Sequence, residues 1–197
     1  MPSAEFLDAL RRLVAKIEAS LPKVKAPIKM YVAGGAAVHF YTAYRVSADV
    51  DAIFSKRLLL PDEVEVAWQG EDGKPSLLYL DKQYNDTFSL MHEDYAAAAI
   101  PCAELNVGKR KIHVYFLSPI DLVVSKLSRY ETVDQEDIRA LAEQGLVSAD
   151  AVRTRAEEAL GGYVGEMTRI KNSIKLACKL IDDVQSKRTG NNKKKPR

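Results

Sequence analysis

The stretch YVAGGAAVHFYTAYRVSADVDAIF, residues 31–54, decides how this chain is organised. It joins two apolar runs and places two glycines, Gly34 and Gly35, at the end of the first. The second run carries Asp49 and Asp51 at alternate positions. Residues two apart on a strand project from one face and lie about 7 Å apart along the backbone. Two like charges at that spacing repel each other, and apolar neighbours raise the cost of ionising both, so folding alone does not favour the pair.

A divalent cation would remove this conflict. Carboxylate oxygens suit Mg²⁺, which takes one or two protein carboxylates and fills its other positions with water and phosphate oxygens. A glycine turn has no Cβ atoms, so the backbone N–H groups of a following helix can approach a triphosphate closely. Either motif alone is common at an exposed strand edge or a turn, but their order places both at the same end of a sheet. The stretch therefore predicts a magnesium and phosphate site.

The rest of the chain is predicted to be a mixed strand and helix region followed by helices. Apolar residues at helical spacing predict a helix over 4–20, capped by Ser3, and a second helix follows the glycines over about 36–44. PIKMYVAGG and ADVDAIF are predicted strands, and AAIPCAELNV and KIHVYFLS are predicted to form a hairpin through the turn GKR. Four further helices follow from Ser118, a predicted N-cap.

This layout predicts an α+β fold with a small mixed or antiparallel sheet, flanking helices and a C-terminal helical bundle. The expected division of the chain is an α/β core, a helical region and a disordered basic tail, over residues 1–117, 118–185 and 186–197.

The composition is typical of a soluble globular protein, with 47% hydrophobic and 28% charged residues among 197. No apolar run approaches the roughly 18 residues needed to span a bilayer, and the start of the chain lacks the pattern of a secretory signal. Cys102 and Cys178 are far apart and have no metal-ligand spacing near them, which predicts neither a disulfide framework nor a zinc site. We expect a cytoplasmic protein with no membrane partner.

The basic tail allows two interpretations. Residues 186–197 carry six Lys or Arg side chains and no acid, so the remaining residues have a formal net charge of −4 although the whole chain has +2. Such a segment is typically disordered and solubilising. Contact with a nucleic acid is the alternative, and it would require basic residues clustered on the folded body as well.

The opening stretch resembles the signature of the polymerase-beta-like nucleotidyltransferase superfamily. GGAAVHFYTAYRVSADVDAIF has the glycine turn, the short spacer and the D-x-D between apolar residues. More narrowly, YRVSADVDAIF together with SPIDLVVSKLSRYETVDQEDIRAL resembles bacterial nucleotidyltransferase-like proteins related to AbiEii-type toxins of toxin–antitoxin systems. The resemblance covers the chain from about Tyr31 to Leu141.

The resemblance implies a role for each matching residue. Asp49 and Asp51 would be catalytic and would hold the metal. The residues implied to contact the triphosphate are Gly34, Gly35, Arg45 and Ser47. Lys126 would reach the nucleotide from the helical region. The alternative for Lys126 is a charge network on a helix face, shared with Arg129, Asp134 and Asp137.

Superfamily enzymes generally use a third carboxylate from a neighbouring strand, often as the base for the incoming hydroxyl, and the sequence leaves its identity open. Glu104 lies between apolar neighbours on a predicted strand. Asp94 lies in MHEDY, a segment that also recurs in these relatives. Asp86 is a third candidate.

The leading hypothesis is a Mg²⁺-dependent enzyme that transfers a nucleoside monophosphate from a nucleoside triphosphate to a hydroxyl of RNA, such as tRNA, or of a protein. The resemblance adds a toxin role with a cognate antitoxin as partner. One alternative is a catalytically silent nucleotidyltransferase fold that serves as an interaction module. Another is an RNA-binding protein that works through its tail and helical region.

Overall fold

The computed structural model describes residues 2–45, 47–70, 73–84 and 89–192. Its packing divides the chain into two compact units. Unit 1 comprises residues 1–84 and 96–117, and unit 2 comprises residues 85–95 and 118–197. Strands lie in unit 1 and the long C-terminal helices in unit 2, so the predicted α+β class is confirmed.

Unit 1 contains a mixed sheet. Its six strands are β1 Ile28–Val32, β2 Asp49–Phe54, β3 Glu65–Gln69, β4 Pro75–Asp81, β5 Ile100–Pro101 and β6 Ile112–Phe116. Their order across the sheet is β3-β4-β2-β1-β6-β5. β1 runs antiparallel to β2 and parallel to β6, and β2 runs parallel to β4. The outer strands β3 and β5 run antiparallel to their neighbours.

Two helices, α1 Ala4–Ser20 and α2 Gly34–Thr42, pack on this sheet. α1 begins as predicted, because Ser3 Oγ accepts a hydrogen bond from Phe6 N at 3.2 Å. Its apolar stripe is buried and contacts β3 and β4. α2 contacts β2, and the ring of Phe40 stacks on Phe116 with 3.8 Å between centroids.

The two faces of the sheet differ in exposure. Val50 and Ala52 of β2 are buried. The alternating residues Asp49 and Asp51 are only half-buried, and Tyr79 of the adjacent β4 is 40% exposed. Because residues paired across strands point to one face, these three side chains share the more open face of the sheet.

Unit 2 is built from α4 Pro119–Lys126, α5 Thr132–Glu143, α6 Ala149–Ala159 and α7 Met167–Asn192. A short helix, α3 Tyr95–Ala98, begins at the last residue of the unit 2 segment 85–95 and continues into the sequence of unit 1. The predicted N-caps are confirmed, since Ser118 Oγ accepts from Asp121 N and Ser148 Oγ accepts from Ala151 N. α7 packs against α5 and α6. In the described part of the chain, each helix is too short or too polar to cross a membrane.

The predicted hairpin is shorter than expected. β5 ends at Pro101, and the following residues form turns rather than a strand. The side chain of Asn106 explains this ending, because its amide bonds to the backbone of Val114 on β6 in place of a continuing strand. Asn106 Nδ2 donates to Val114 O at 2.9 Å, and Asn106 Oδ1 accepts from Val114 N at 2.7 Å. The prediction of a strand through Glu104 is therefore wrong.

Two other segments differ from the expected division. Residues 85–95 belong to unit 2 rather than to the α/β core, and His92 Nε2 lies 3.4 Å from Glu158 Oε2 on α6. α7 continues to Asn192, so residues 186–192, expected to begin a disordered tail, are helical. Arg188 Nη1 donates to Ala142 O at 3.0 Å, which ties the end of α7 to α5.

Candidate active site

The glycine pair forms the junction between β1 and α2. Gly34 begins the helix with φ of +58°, in the left-handed region that glycine adopts at little cost. The preceding N-cap residue is Ala33, which offers no side-chain acceptor to the first N–H groups of α2. N–H groups at a helix N-terminus bind phosphate and other anions. The junction therefore has the properties expected of a phosphate cradle.

The start of β2 lies directly beside this junction. Ala33 N donates a hydrogen bond to Asp51 O at 2.8 Å. A Cβ atom placed on Gly34 would lie 2.8 Å from Asp51 Cγ and closer still to Oδ2. The Asp51 carboxylate thus occupies the space that the missing side chain of Gly34 leaves.

The second glycine makes a similar approach possible for the loop before β2. A Cβ atom on Gly35 would lie 2.7 Å from Ser47 Oγ and 3.2 Å from Arg45 Nη2. Ser47 is 6% exposed, and its Oγ donates a hydrogen bond to Asp49 Oδ1. Ser47 therefore orients the Asp49 carboxylate, and the loop brings a guanidinium to the glycine turn.

These contacts bring together six of the residues singled out in the sequence. They are Gly34, Gly35, Arg45, Ser47, Asp49 and Asp51. Both glycines contact side chains from the segment that ends in the D-x-D. The segment that runs from the glycine turn through α2 to the D-x-D folds back on itself, because β1 and β2 are antiparallel neighbours, with Val32 opposite Ala52.

Sequence reasoning missed Asp81, the last residue of β4. It pairs with Asp51 across the parallel strands β2 and β4, which lie about 4.8 Å apart, so both side chains leave the same face. Asp81 Oδ1 accepts a hydrogen bond from Gln83 N at 2.8 Å. The only sequence signal was the apolar strand LLYLD ending in a carboxylate. Asp81 is therefore a carboxylate that the structure sets opposite the D-x-D on a neighbouring strand.

The sequence offered three other candidates for that third carboxylate, Glu104, Asp94 and Asp86. Glu104 follows β5, which is separated from β2 by two strands and runs away from the sheet end that holds Asp51. The structure therefore does not bring Glu104 to the pair. Asp94 is exposed in unit 2, where its backbone N donates to His92 Nδ1 at 3.0 Å. Asp86 lies outside the described residues.

Lys126 lies in a buried charge network of unit 2. Its Nζ donates to Asp137 Oδ2 at 2.7 Å and lies 3.7 Å from Asp134 Oδ1, and both carboxylates are buried. Arg129 binds Asp134 through two hydrogen bonds of 2.8 and 2.7 Å. Burial alone would raise the pKa of Asp134, but the hydrogen bonds from Arg129 and Glu131 N and the charge of Lys126 outweigh it, so the pKa is lowered. This contact set favours the structural interpretation of Lys126 over contact with the nucleotide.

The network gives a stability prediction. Lys126→Met should lower the free energy of unfolding by about 3–5 kcal/mol, because it removes the cation that pairs with the buried Asp137 carboxylate. Urea unfolding of the full chain measures this loss. Lys126→Met combined with Asp137→Leu should recover part of the stability, since the unpaired charge is removed as well. A Lys126→Met protein as stable as the wild type would contradict the structural assignment.

The donor set at the glycine turn fits Mg²⁺. Among the described residues, no group of three or more His, Cys, Asp or Glu side chains is arranged to hold a metal ion. Two carboxylates are nevertheless a usual protein contribution to a Mg²⁺ site, because water and substrate phosphates complete the coordination. Asp49 and Asp51 offer hard oxygen donors on one face, and the glycine turn offers phosphate-binding N–H groups beside them.

Comparison with known proteins gives one match. Residues 8–183 match the model of a family described as "Nucleotidyltransferase of unknown function (DUF6036)". No curated protein and no solved structure matches the chain significantly. The match agrees with the broader of the two resemblances, and the narrower one, to AbiEii-type toxins, stays a prediction.

Proposed function

Because this chain belongs to that family of nucleotidyltransferases, we propose that it transfers a nucleoside monophosphate from a nucleoside triphosphate to a hydroxyl group, with Mg²⁺ as cofactor. The observation that carries the proposal is the approach of the Asp51 carboxylate to Gly34, which sets metal-binding oxygens beside the helix N-terminus.

In this proposal the oxygen of the acceptor hydroxyl attacks the α-phosphorus. A new phosphorus–oxygen bond forms, the bond to the bridging oxygen of the β-phosphate breaks, and pyrophosphate leaves. Asp49 and Asp51 would hold Mg²⁺, which supplies positive charge for the phosphate oxygens. The N–H groups at the start of α2 and the Arg45 guanidinium would bind the β- and γ-phosphates.

Asp81 would take the proton from the acceptor hydroxyl. Its pairing with Asp51 supports this role, because it is the described carboxylate directly opposite the D-x-D on the neighbouring strand. A positioned base of this kind contributes about 10²–10⁴-fold to a rate. The catalytically silent alternative drew its support from the lack of a third carboxylate, and the position of Asp81 supplies a candidate for that group.

Tyr79 would position the nucleotide base or the end of the acceptor. It pairs with Asp49 across β2 and β4, points to the same face and is 40% exposed. An exposed aromatic ring next to a phosphate site can stack on a nucleobase, whose faces are apolar.

The resemblance favours tRNA or a protein as the acceptor, and it also suggests a toxin role with a cognate antitoxin.

The proposal predicts metal-dependent binding and transfer. Calorimetric titration with nucleoside triphosphates should show binding with Mg²⁺ and lose it with EDTA. Incubation with α-labelled triphosphates should label an acceptor in total RNA or in a protein extract. The Asp81→Asn variant should keep the metal-dependent binding and lose transfer by about 10²–10⁴-fold. Absence of metal-dependent binding and of labelling with all four triphosphates would refute the function.

A further inference from the structure

A cavity lies within unit 2, between α6 and α7. Its volume is about 670 Å³, within the usual range for ligand sites. Its apolar floor includes Ile174 and Cys178, both buried, and Leu160. The polar residues that line it are Arg153, Glu157, Lys171, Lys175, Lys179 and Asp182. We call this cavity the α6–α7 groove.

Three lysines follow one edge of the α6–α7 groove. Lys171, Lys175 and Lys179 are four residues apart on α7, so each lies one turn, or about 6 Å, beyond the last. All three are exposed, and within the described ranges none forms an ion pair. Like charges at this spacing weaken an isolated helix. The row of lysines is thus not explained by contacts inside unit 2.

The charge balance of the groove is positive. Arg153 adds a fourth cation, whose Nη1 also contacts Asp150 Oδ1 at 2.9 Å. Glu157 and Asp182 are the acidic residues in the lining. Four cations against two anions, over an apolar floor, suit a ligand that carries several negative charges in a row and has an apolar portion.

We propose that the α6–α7 groove binds a single strand of RNA, with consecutive phosphates on Lys171, Lys175 and Lys179. The interval between the lysines is close to the distance between neighbouring phosphates of an extended strand, and the floor accommodates a ribose or a base. The sequence after the groove continues with further cations, Lys187, Lys193, Lys194, Lys195 and Arg197, as expected for a long polyanion rather than a small molecule. The groove supplies the basic cluster on the folded body that RNA contact requires.

This inference is independent of transfer at the aspartates, because it concerns binding by residues of unit 2 alone. The probe is a labelled oligouridylate of about twelve nucleotides, titrated with the full-length protein over a range of salt concentrations. Each phosphate contact of a single strand contributes about −0.7 to the slope of log K against log salt, so replacing all three lysines by glutamine should make the slope about 2 units shallower. When the salt concentration rises from about 50 to about 200 mM, the wild-type affinity should therefore fall about 20-fold more than the affinity of the variant.

Matched variants separate the groove from general charge. Lys23, Lys25 and Lys56 are exposed lysines of unit 1 that do not line the groove, and replacing them by glutamine removes the same charge. That control should keep the wild-type slope. Glu157→Gln combined with Asp182→Asn should tighten binding, because it removes the two anions of the lining. Asp49→Asn combined with Asp51→Asn should leave RNA binding intact whether or not the protein transfers nucleotides.

Three outcomes would overturn the inference. The first is an equal slope for the groove variant and the wild type. The second is loss of binding only when residues 193–197 are deleted, which would assign the contact to the tail. The third is that a labelled twelve-residue glutamate peptide binds as tightly as the oligouridylate or more tightly, and that its binding is weakened equally by replacing the three lysines. That result would assign the groove to an acidic protein partner. A circular dichroism spectrum like that of the wild type shows that the groove variant is folded.

Discussion

Replacing Asp49 and Asp51 together by asparagine is expected to reduce nucleotide transfer at least about a thousandfold. The variant keeps the size of both side chains but removes the two negative charges that would hold Mg²⁺. A metal clamp on a phosphoryl group is worth several kcal/mol, and each 1.36 kcal/mol changes a rate about tenfold. The same variant should lose metal-dependent binding of the triphosphate. Single-turnover transfer of an α-labelled nucleotide measures the first effect and calorimetry the second.

The fold of this variant should persist, because asparagine keeps the size of each aspartate and an oxygen acceptor. Asparagine Oδ1 can still accept the hydrogen bond from Ser47 that Asp49 now accepts. The lower mutual repulsion offsets the loss of a negative charge beside the N-terminus of α2, so urea unfolding without Mg²⁺ should show a stability close to that of the wild type. Asp62→Asn, at an exposed position outside the sheet, is the matched control and should transfer normally. Unchanged transfer in the double variant would end the assignment of the active site.

The sequence could predict the D-x-D and the glycine turn because both depend on short-range geometry. Alternation on a strand fixes which side chains share a face, and a glycine pair before a helix indicates a close approach of the backbone. The antiparallel pairing of β1 and β2 then brings Gly34 and Asp51 together, although they are separated by a helix. These residues are close in sequence, so few alternative arrangements compete.

Asp81 could not be identified in this way, because its position beside the D-x-D depends on long-range pairing. β4 forms a hairpin with β3 and also runs beside β2, and only the second contact sets Asp81 opposite Asp51. Glu104 shows the converse case: apolar neighbours predicted a strand, but the side chain of Asn106 bonds to Val114 and ends it. The environment of Lys126 was likewise unpredictable, since it depends on how α5 packs against α4.

Gly34→Ala is expected to abolish most transfer for a steric reason. The new Cβ would lie within contact distance of the Asp51 carboxylate, which must rotate away or displace the turn. A displacement of about 1 Å in a catalytic group costs about 10²-fold in rate. Alanine also costs about 1–2 kcal/mol for the left-handed backbone conformation at φ of +58°, so the free energy of unfolding should fall by at least this amount.

Gly108→Ala separates the two effects, because Gly108 has φ of +76° and a Cβ there meets no atom within 4 Å among the described residues. Gly108→Ala should lose about 1–2 kcal/mol of stability in urea unfolding, and Gly34→Ala should lose at least as much, since both place alanine in the left-handed region. Only Gly34→Ala should lose transfer and metal-dependent triphosphate binding, measured at a temperature where both variants are folded. If the two variants transferred nucleotide equally well, the contact between Gly34 and Asp51 would have no catalytic meaning, and the phosphate cradle would have to be sought elsewhere in unit 1.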